Sequence, residues 1–435
     1  MNRGHAESYL KHLNRLGIKL GLERIERLLA LLGNPEKRFR SILVGGTSGK
    51  GSTCVMLSSI LSEAGYKAGL FVKPHLFDFR ERISVNGQMI SERDFARLAE
   101  KIKPLAERVG DFEKPTFFEF LTALAFEYFK EKRVDIAVLE VGLGGRLDAT
   151  NVVDSEVSII TNVSLEHTDI LGGTVEKITK EKAGIIKENG ILVTGAENPK
   201  VLKILKEICM KRKAKFVRGL KLENALSSPE GNTFELEGEK IFVPLGGRYQ
   251  LKNIGCVLAA IRSLKDEIPL RAIKEGLRKV KWPGRFEIVD RNPVVLLDGA
   301  KDPNSIQNLL DSLGLLEYEK LYTVLGISKD KQIPEMIDEL AKKTDFFILT
   351  KHGVAGRGAN PEVLAKYVSK HGKPFVIVKD VKNAVKKAKD IAKENDLILV
   401  TGSLFTVAEA RELWFPKKVK MGREMEENPG FDRNK

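Results

Sequence analysis

Two short segments of the chain are apolar at nearly every position. Residues 134–141 read VDIAVLEV, and residues 156–163 read EVSIITNV. Strands with one exposed face alternate polar and apolar residues, whereas strands covered by helices on both faces are apolar almost throughout. Because helical stretches separate these runs from others like them, the pattern predicts an α/β fold with a mostly parallel sheet.

A glycine-rich turn follows the first predicted strand. Residues 41–44 read SILV, residues 45–53 read GGTSGKGST, and a helical pattern then runs to residue 64. Backbone N–H groups in such a turn can cradle phosphate oxygens at the positive end of the helix, and Lys50 would reach the β- and γ-phosphates. The segment is not a strict Walker A motif, because Val44 replaces its first glycine and Gly51 separates Lys50 from Ser52. Similar turns also serve only as tight connections.

Two polar residues stand at the ends of the two apolar runs. Glu140 ends the first, and His167 follows the second in SLEHTDILG. The carboxyl ends of parallel strands are where such sheets bind ligands. Taken singly, a glutamate such as Glu140 at a strand end is commonly only solvated, and a histidine such as His167 is more often structural than a ligand. With the phosphate loop, they predict a magnesium-nucleotide site.

The break between two α/β units is predicted at residues 281–285, which read KWPGR, because Pro-Gly interrupts both helix and strand. A fresh alternation follows, with strands predicted at 293–298, 321–326, 346–350, 374–378 and 397–401. We predict an N-terminal P-loop mononucleotide-binding domain over residues 1–288, a smaller Rossmann-like α/β domain over 289–416, and a polar tail over 417–435.

Composition limits the partners. Lys and Arg number 73 against 59 Asp and Glu, so the net charge is +14. This excess favours an anionic partner, although a solvated basic surface explains it equally well. No base-stacking motif, no apolar run of about 18 residues and no signal-peptide pattern occur, so we expect a cytoplasmic protein that binds neither nucleic acid nor membrane. Three scattered cysteines predict free thiols and no structural zinc.

Several segments together resemble one family. The chain is similar to folylpolyglutamate synthase, often combined with dihydrofolate synthase activity, within the Mur-ligase-like amide ligases, over roughly residues 40–410. LEVGLGGRLDATN from residue 139 and EHTDILG from residue 166 are the most specific segments. The other matching segments are GGTSGKGST, FVKPHLFDFRERI, EKAGIIK, GRYQLKN, WPGR, LLDGAKDPNS and TGSL.

The resemblance assigns roles at the matching positions. The triphosphate cradle would comprise Gly46, Thr47, Ser48, Gly49, Lys50, Gly51 and Ser52. Glu140 and His167 would be magnesium ligands. Lys182 would be carbamylated and help hold a second magnesium ion beside His167. From the residues alone, Lys182 reads instead as part of a solvated helix face, since other lysines lie nearby.

Three further positions imply that ATP is closed between two domains. By the resemblance, Asn253 would contact adenine, Arg285 the ATP phosphates, and Asp298 would lie near the ribose.

The chain departs from the family pattern at three places. Lys73 stands where the family commonly has a serine that coordinates magnesium, and an ammonium group cannot coordinate a cation. Either Lys73 contacts a phosphate instead, or the metal is held by Ser52, water and Glu140. Lys301-Asp302 replaces His-Asn, and Tyr249 replaces the histidine of a His-Gln pair. A role that depends on an imidazole at position 301 therefore does not transfer.

The resemblance implies an ATP-dependent ligase that adds L-glutamate to the glutamyl tail of reduced folate through an acyl phosphate, as part of folate and one-carbon metabolism. It also leaves open whether the site joins dihydropteroate to L-glutamate. We expect a monomer that uses ATP and two Mg²⁺ ions. The alternatives are a cell-wall-type ligase, which LGGRLDATN argues against, and a basic NTPase or nucleotide switch, which leaves EHTDILG without a role.

Overall fold

The computed structural model describes residues 9, 10, 13, 17, 19–109, 114–354 and 356–416. The helix predicted before Gly17 lies mostly outside these residues, and the predicted tail over 417–435 lies wholly outside them. None of the helices in the described residues combines the length and the hydropathy that a membrane span requires.

Eight strands form the first sheet, in the order β4-β3-β2-β5-β1-β6-β7-β8. The six strands from β2 to β8 in this order are parallel, and β3 and β4 add an antiparallel hairpin at one edge. The strands are β1 (Arg40–Gly45), β2 (Ala68–Phe71), β3 (Ile83–Val85), β4 (Gln88–Met89), β5 (Ile136–Glu140), β6 (Val157–Ile160), β7 (Ile191–Thr194) and β8 (Lys215–Arg218).

Helices cover both faces of this sheet, which is why β5 and β6 are buried at every position. These helices are α1 (Glu23–Leu31), α2 (Lys50–Glu63), α3 (Glu92–Arg108), α4 (Phe117–Glu131), α5 (Thr168–Leu171), α6 (Val175–Ala183), α7 (Pro199–Lys211), α8 (Gln250–Ile261) and α9 (Leu270–Arg278). A small antiparallel sheet, β9 (Glu223–Ser228), β10 (Gly231–Leu236) and β11 (Glu239–Val243), lies against α9.

Six strands form the second large sheet, in the order β12-β13-β17-β14-β15-β16. All neighbours are parallel except β12 and β13. Its strands are β12 (Glu287–Arg291), β13 (Val294–Leu297), β14 (Leu321–Leu325), β15 (Phe346–Leu349), β16 (Phe375–Ile377) and β17 (Leu397–Thr401). Its helices are α10 (Pro303–Ser312), α11 (Ile333–Ala341), α12 (Pro361–Lys370), α13 (Val381–Ile391) and α14 (Leu404–Arg411).

The predicted α/β class, with a large parallel-rich sheet followed by a second α/β unit, is confirmed. The pattern missed β9 and β12, which are partly buried or exposed at every position, so their sequences lack a continuous apolar run. Since β12 includes residues 287 and 288 and pairs within the second sheet, the proposed boundary between 288 and 289 falls inside a strand. That division of the chain stays a prediction.

Candidate functional site

The candidate site lies at the carboxyl edge of the first sheet. Strand β1 is central there, with β5 on one side and β6 on the other. The chain leaves β1 toward one side of the sheet and later returns to the other side, and the crevice at such a switch point is where open α/β sheets bind ligands. A cavity of about 680 Å³ lies at this place, and residues from the loops of both large sheets line it.

The glycine-rich turn at residues 45–53 forms one wall of the cavity. Gly46 has φ of +130°, and a Cβ atom there would lie 2.0 Å from Thr161 Oγ1, so only glycine fits. The Thr161 hydroxyl donates a hydrogen bond of 2.6 Å to the Ser48 carbonyl. Asn162 Oδ1 accepts hydrogen bonds from the backbone N–H groups of Ser48 at 2.9 Å and Thr47 at 3.2 Å. The end of β6 therefore holds the turn in its curved shape.

Lys50 begins α2 and folds back over the turn. Its Nζ donates hydrogen bonds to the carbonyl oxygens of Gly46 at 2.8 Å and Thr47 at 2.9 Å. These two bonds keep the ammonium group above the loop, where a bound phosphate would replace the carbonyl partners.

Helix α8 reaches the same turn through two amide side chains. Asn253 lies against Gly49, where a Cβ atom would be 2.2 Å from Asn253 Oδ1. Asn253 Nδ2 donates to Gln250 Oε1 at 2.8 Å, and Gln250 Nε2 donates to Ser52 Oγ at 3.3 Å. This relay ties three buried side chains together and connects the predicted adenine contact Asn253 to the first turn of α2. Sequence reasoning assigned Gln250 no part in it.

Glu140 and Lys73 meet at the ends of β5 and β2. Glu140 is buried, lines the cavity, and its Oε2 accepts a hydrogen bond of 2.9 Å from the backbone N–H of Lys73. Burial, together with the charges of Lys50 and Lys301, lowers the pKa of Lys73 to about 7 against the opposing effect of Glu140. Three lysines, Lys50, Lys73 and Lys301, therefore line one cavity and act on one another through their charges.

Lys182 is buried, with 1% of its surface exposed, so the reading of it as part of a solvated helix face is wrong. Position 182 lies on the side of α6 that faces the phosphate loop. Its Nζ donates hydrogen bonds to the Gly46 carbonyl at 2.9 Å and to Glu166 Oε1 at 2.5 Å. Burial lowers the pKa of Lys182, while Glu166 opposes that shift.

Glu166 and His167 lie on the loop between β6 and α5. Burial raises the pKa of Glu166, but the charges of Lys182 and Lys50 override it and bring the value to about 2. Burial lowers the pKa of His167 to about 4, helped by the positive charge of Lys331. The imidazole is therefore neutral at pH 7 and has a nitrogen lone pair available for a proton or a cation.

The four predicted metal ligands are distributed unevenly. Ser52 and Glu140 line the cavity, whereas His167 and Lys182 do not. Within the described residues, no group of three or more His, Cys, Asp or Glu side chains is arranged to hold a metal ion. Any ion at this site would therefore need Ser52, a modified Lys182, water or phosphate oxygens among its ligands.

The second sheet closes the cavity from the opposite side. Asp298, at the end of β13, accepts hydrogen bonds from Tyr249 Oη at 2.7 Å and from the backbone N–H groups of Phe286 and Ala300. Arg285 also lines the cavity. Tyr249 stands where the family pattern has histidine, and its hydroxyl joins the two units directly.

Asp302 begins α10 as its N-cap and reaches the phosphate loop. Its Oδ2 accepts a hydrogen bond of 3.4 Å from Ser48 Oγ, and its Oδ1 accepts one of 2.9 Å from the backbone N–H of Ser305. Lys301 precedes it and lines the cavity opposite Lys50. Only the tertiary structure places these residues of the second unit at the loop of the first.

Two family models match the chain. The Mur ligase middle domain matches residues 44–261, and the Mur ligase glutamate ligase domain matches residues 284–404. The second match begins at Gly284, beside the Pro-Gly break.

Curated proteins match over nearly the whole chain. The dihydrofolate synthase/folylpolyglutamate synthase of Bacillus subtilis is 34% identical over 423 residues, which cover 94% of this chain and 98% of that protein. A probable bifunctional folylpolyglutamate synthase/dihydropteroate synthase of Haloferax volcanii is 38% identical over 432 residues, which cover 95% of this chain but 51% of that protein. The chain thus spans about half the length of this relative and of a similar Halobacterium salinarum protein.

Solved structures match equally broadly. Escherichia coli FolC in complex with DHPP and ADP has a TM-score of 0.84 and 34% identity, and the match covers 94% of this chain and 97% of that one. Mycobacterium tuberculosis folylpolyglutamate synthase complexed with ADP has a TM-score of 0.88 and 28% identity, covering 98% and 100%. A Yersinia pestis bifunctional enzyme complexed with AMPPNP and Mn ion has a TM-score of 0.82 and 31% identity, covering 95% and 98%.

Proposed function

This chain belongs to the dihydrofolate synthase/folylpolyglutamate synthase family of Mur ligases, and on that premise we propose that it is an ATP-dependent amide ligase. Its substrates are reduced folate, whose glutamyl tail it extends, and L-glutamate. The observation that carries the proposal is a lysine-bearing phosphate loop whose cavity is closed by Arg285, Asp298 and Lys301 of the second unit. Such a cavity can hold a nucleotide and shield a reactive phosphorylated product from water.

The phosphate loop binds the triphosphate in the first step. The positive end of α2, and the loop N–H groups that Asn162 does not hold, face the phosphates. Lys50 exchanges the carbonyl oxygens of Gly46 and Thr47 for phosphate oxygens. Asn253 and Asp298, on opposite sides of the cavity, take the adenosine portion.

Phosphoryl transfer follows, with the folate side-chain carboxylate attacking the γ-phosphorus atom. The bond to the β-γ bridging oxygen breaks, ADP leaves, and an acyl phosphate forms. No protein nucleophile is needed, so the residues act by positioning the reactants and offsetting negative charge. Lys50 supplies that charge at the loop.

Three residues suit a divalent cation at this place. Glu140 Oε1 accepts no hydrogen bond from the described residues, Ser52 Oγ is bonded only by Gln250 at 3.3 Å, and the neutral His167 ring has a free nitrogen. These are mostly hard oxygen donors, which Mg²⁺ prefers. When bound, the ion would polarise phosphate oxygens and offset their charge.

Lys182 would complete a second cation site as a carbamate. A neutral amine is the form that adds CO₂ and releases a proton, and burial favours that form by lowering the pKa of Lys182. The modification turns a cation into an anion, so the bond to Glu166 would be lost. Two anions side by side would then need a cation between them, which is the reason we assign two metal ions.

Amide formation ends the reaction. The amine of L-glutamate attacks the acyl carbon, a proton is released, and phosphate leaves. Dihydropteroate carries a carboxylate of the same kind, so the dihydrofolate synthase reaction would use the same steps.

The test is an assay of ADP release with a product analysis. We expect ADP only when ATP, tetrahydrofolate and L-glutamate are all present, and a product heavier by one glutamyl residue. Lys50→Met should abolish both signals. Dihydropteroate in place of tetrahydrofolate tests the second activity. ADP release at the same rate without the folate acceptor and without L-glutamate would overturn the proposal. ADP release that nucleic acid stimulates, with no amide product, would favour the NTPase alternative.

A further inference from the structure

Two lysines from different sheets face the same cavity. Lys73 follows β2 of the first sheet, and Lys301 follows β13 of the second. Both line the cavity that Lys50 also lines. The charge of Lys301 acts on Lys73, so the two groups lie close enough to interact electrostatically.

Among the described residues, neither ammonium group is paired directly with an acid. Glu140 and Asp148 act on Lys73, and Glu166 and Asp302 act on Lys301, only through their charges. Within the described part of the chain, Lys73 and Lys301 form no salt bridge and no side-chain hydrogen bond. Glu140 lies near Lys73, but Glu140 Oε2 is bonded by the backbone N–H of that residue. Lys50 differs, because two carbonyl oxygens hold its ammonium group.

Partly buried cations without partners repel one another. The charges of Lys50 and Lys301 both act on Lys73. Such an arrangement is favourable only when an anion enters between the groups. The anion must lie beyond the loop that holds the inner phosphates, because Lys73 and Lys301 belong to other strand ends.

We propose that Lys73 and Lys301 form a two-sided clamp on the γ-phosphoryl group of ATP, with one ammonium group from each sheet. The clamp makes the protein prefer ATP to ADP, and it does so without a metal ion. This inference rests on the proposed binding of ATP. Because the two groups belong to different units, the terminal phosphate also draws the second unit onto the first.

The test compares a nonhydrolysable ATP analogue with ADP by isothermal titration calorimetry, in EDTA and again with Mg²⁺. We expect wild-type protein to bind AMPPNP more tightly than ADP even in EDTA. Lys73→Met and Lys301→Met should each lower AMPPNP affinity by about tenfold to a hundredfold, the range for a lost charge-assisted hydrogen bond. ADP affinity should stay nearly constant, which also shows that the variants are folded.

Lys252→Met is the matched control. Lys252 lines the same cavity, but it is exposed and paired with Glu197 at 2.6 Å. We expect its ratio of AMPPNP to ADP affinity to equal that of the wild type. If either methionine variant fails to fold, the glutamine variant at the same position provides the measurement.

Two results would overturn the clamp. One is an unchanged affinity ratio in both lysine variants. The other is a wild-type preference for AMPPNP that appears only with Mg²⁺. The proposed ligase activity can be refuted independently of the clamp. If the protein prefers AMPPNP through these lysines but makes no amide product, the clamp stands and the ligase proposal is wrong.

Discussion

Gly46→Ala tests whether the phosphate loop depends on its close contact with β6. The added Cβ atom would lie 2.0 Å from Thr161 Oγ1 and 3.0 Å from the Thr161 backbone nitrogen. Thr161 must therefore turn away or the loop must shift. Either movement breaks the hydrogen bonds from Thr161 Oγ1 to the carbonyls of Ser48 at 2.6 Å and Gly45 at 3.2 Å.

The size of the effect follows from these contacts. Each lost hydrogen bond costs about 1 kcal/mol. A side chain at φ of +130° adds strain of about 1–3 kcal/mol. We therefore expect the free energy of unfolding to fall by about 3–5 kcal/mol. ATP affinity should fall as well, because the loop N–H groups no longer point at one position.

Gly33→Ala separates backbone strain from the steric clash. Gly33 also has positive φ, at +79°, but no atom lies within 4 Å of its added Cβ. We expect a loss of only about 1–2 kcal/mol there and unchanged nucleotide binding. Urea unfolding and calorimetric titration with ADP measure both quantities.

The double variant Gly46→Ala/Thr161→Ala gives the decisive comparison. Because the same two hydrogen bonds are lost in each single variant, the double variant should cost about 2 kcal/mol less than the two single losses together. Strict additivity, or a Gly46→Ala loss no larger than that of Gly33→Ala, would refute the reasoning.

Two further predictions concern the buried ion pair. Lys182→Ala should reduce turnover by at least about a hundredfold. ADP affinity measured by calorimetry should change little, because Lys182 contacts the carbonyl of Gly46 and not the N–H groups of the loop. Wild-type turnover in this variant would show that Lys182 has no part in the mechanism. Although burial raises the pKa of Glu166, Lys182 holds it at about 2, below the ordinary 4.5. In protein whose Lys182 is not carbamylated, the pair should therefore stabilise the fold above pH 4.5 by about 3 kcal/mol and lose that contribution as the pH falls toward 2. Glu166→Gln should flatten the decline in unfolding free energy across this window, and an unchanged slope in urea unfolding would contradict the shift.

Local patterns predicted much of the fold. The continuous apolar runs identified β5 and β6. Residues 82–90, which read RISVNGQMI, predict a small hairpin centred on Asn86-Gly87, and β3 and β4 form it. The same approach missed β9 and β12, because each carries charged or partly exposed residues and takes its stability from pairing with a neighbouring strand. The pattern also predicts a helix from about residue 174 to 187, which is longer than α6, since α6 ends at Ala183.

The candidate site was predictable only in part. A glycine-rich turn between a strand and a helix indicates phosphate binding wherever it occurs, so Lys50 could be identified from its neighbours in the chain. The roles of Lys182, Asn253, Arg285 and Asp298 came from the resemblance. Glu140 and His167 were also indicated by their places at two strand ends beside the phosphate loop, and all six roles stay predictions. Thr161, Asn162 and Gln250 went unassigned, because their importance depends on atoms more than a hundred residues away.

The sequence by itself therefore determined the α/β class and the position of the phosphate loop, because both depend on residue patterns within a few turns of the chain. Only the tertiary structure decided that Lys182 is buried against Glu166, and that Lys73 and Lys301 face one cavity. The physical reason is that strand order places β2, β5, β1 and β6 side by side and sets the end of β13 opposite them. Burial and charge at these strand ends depend on neighbours that are distant in the chain.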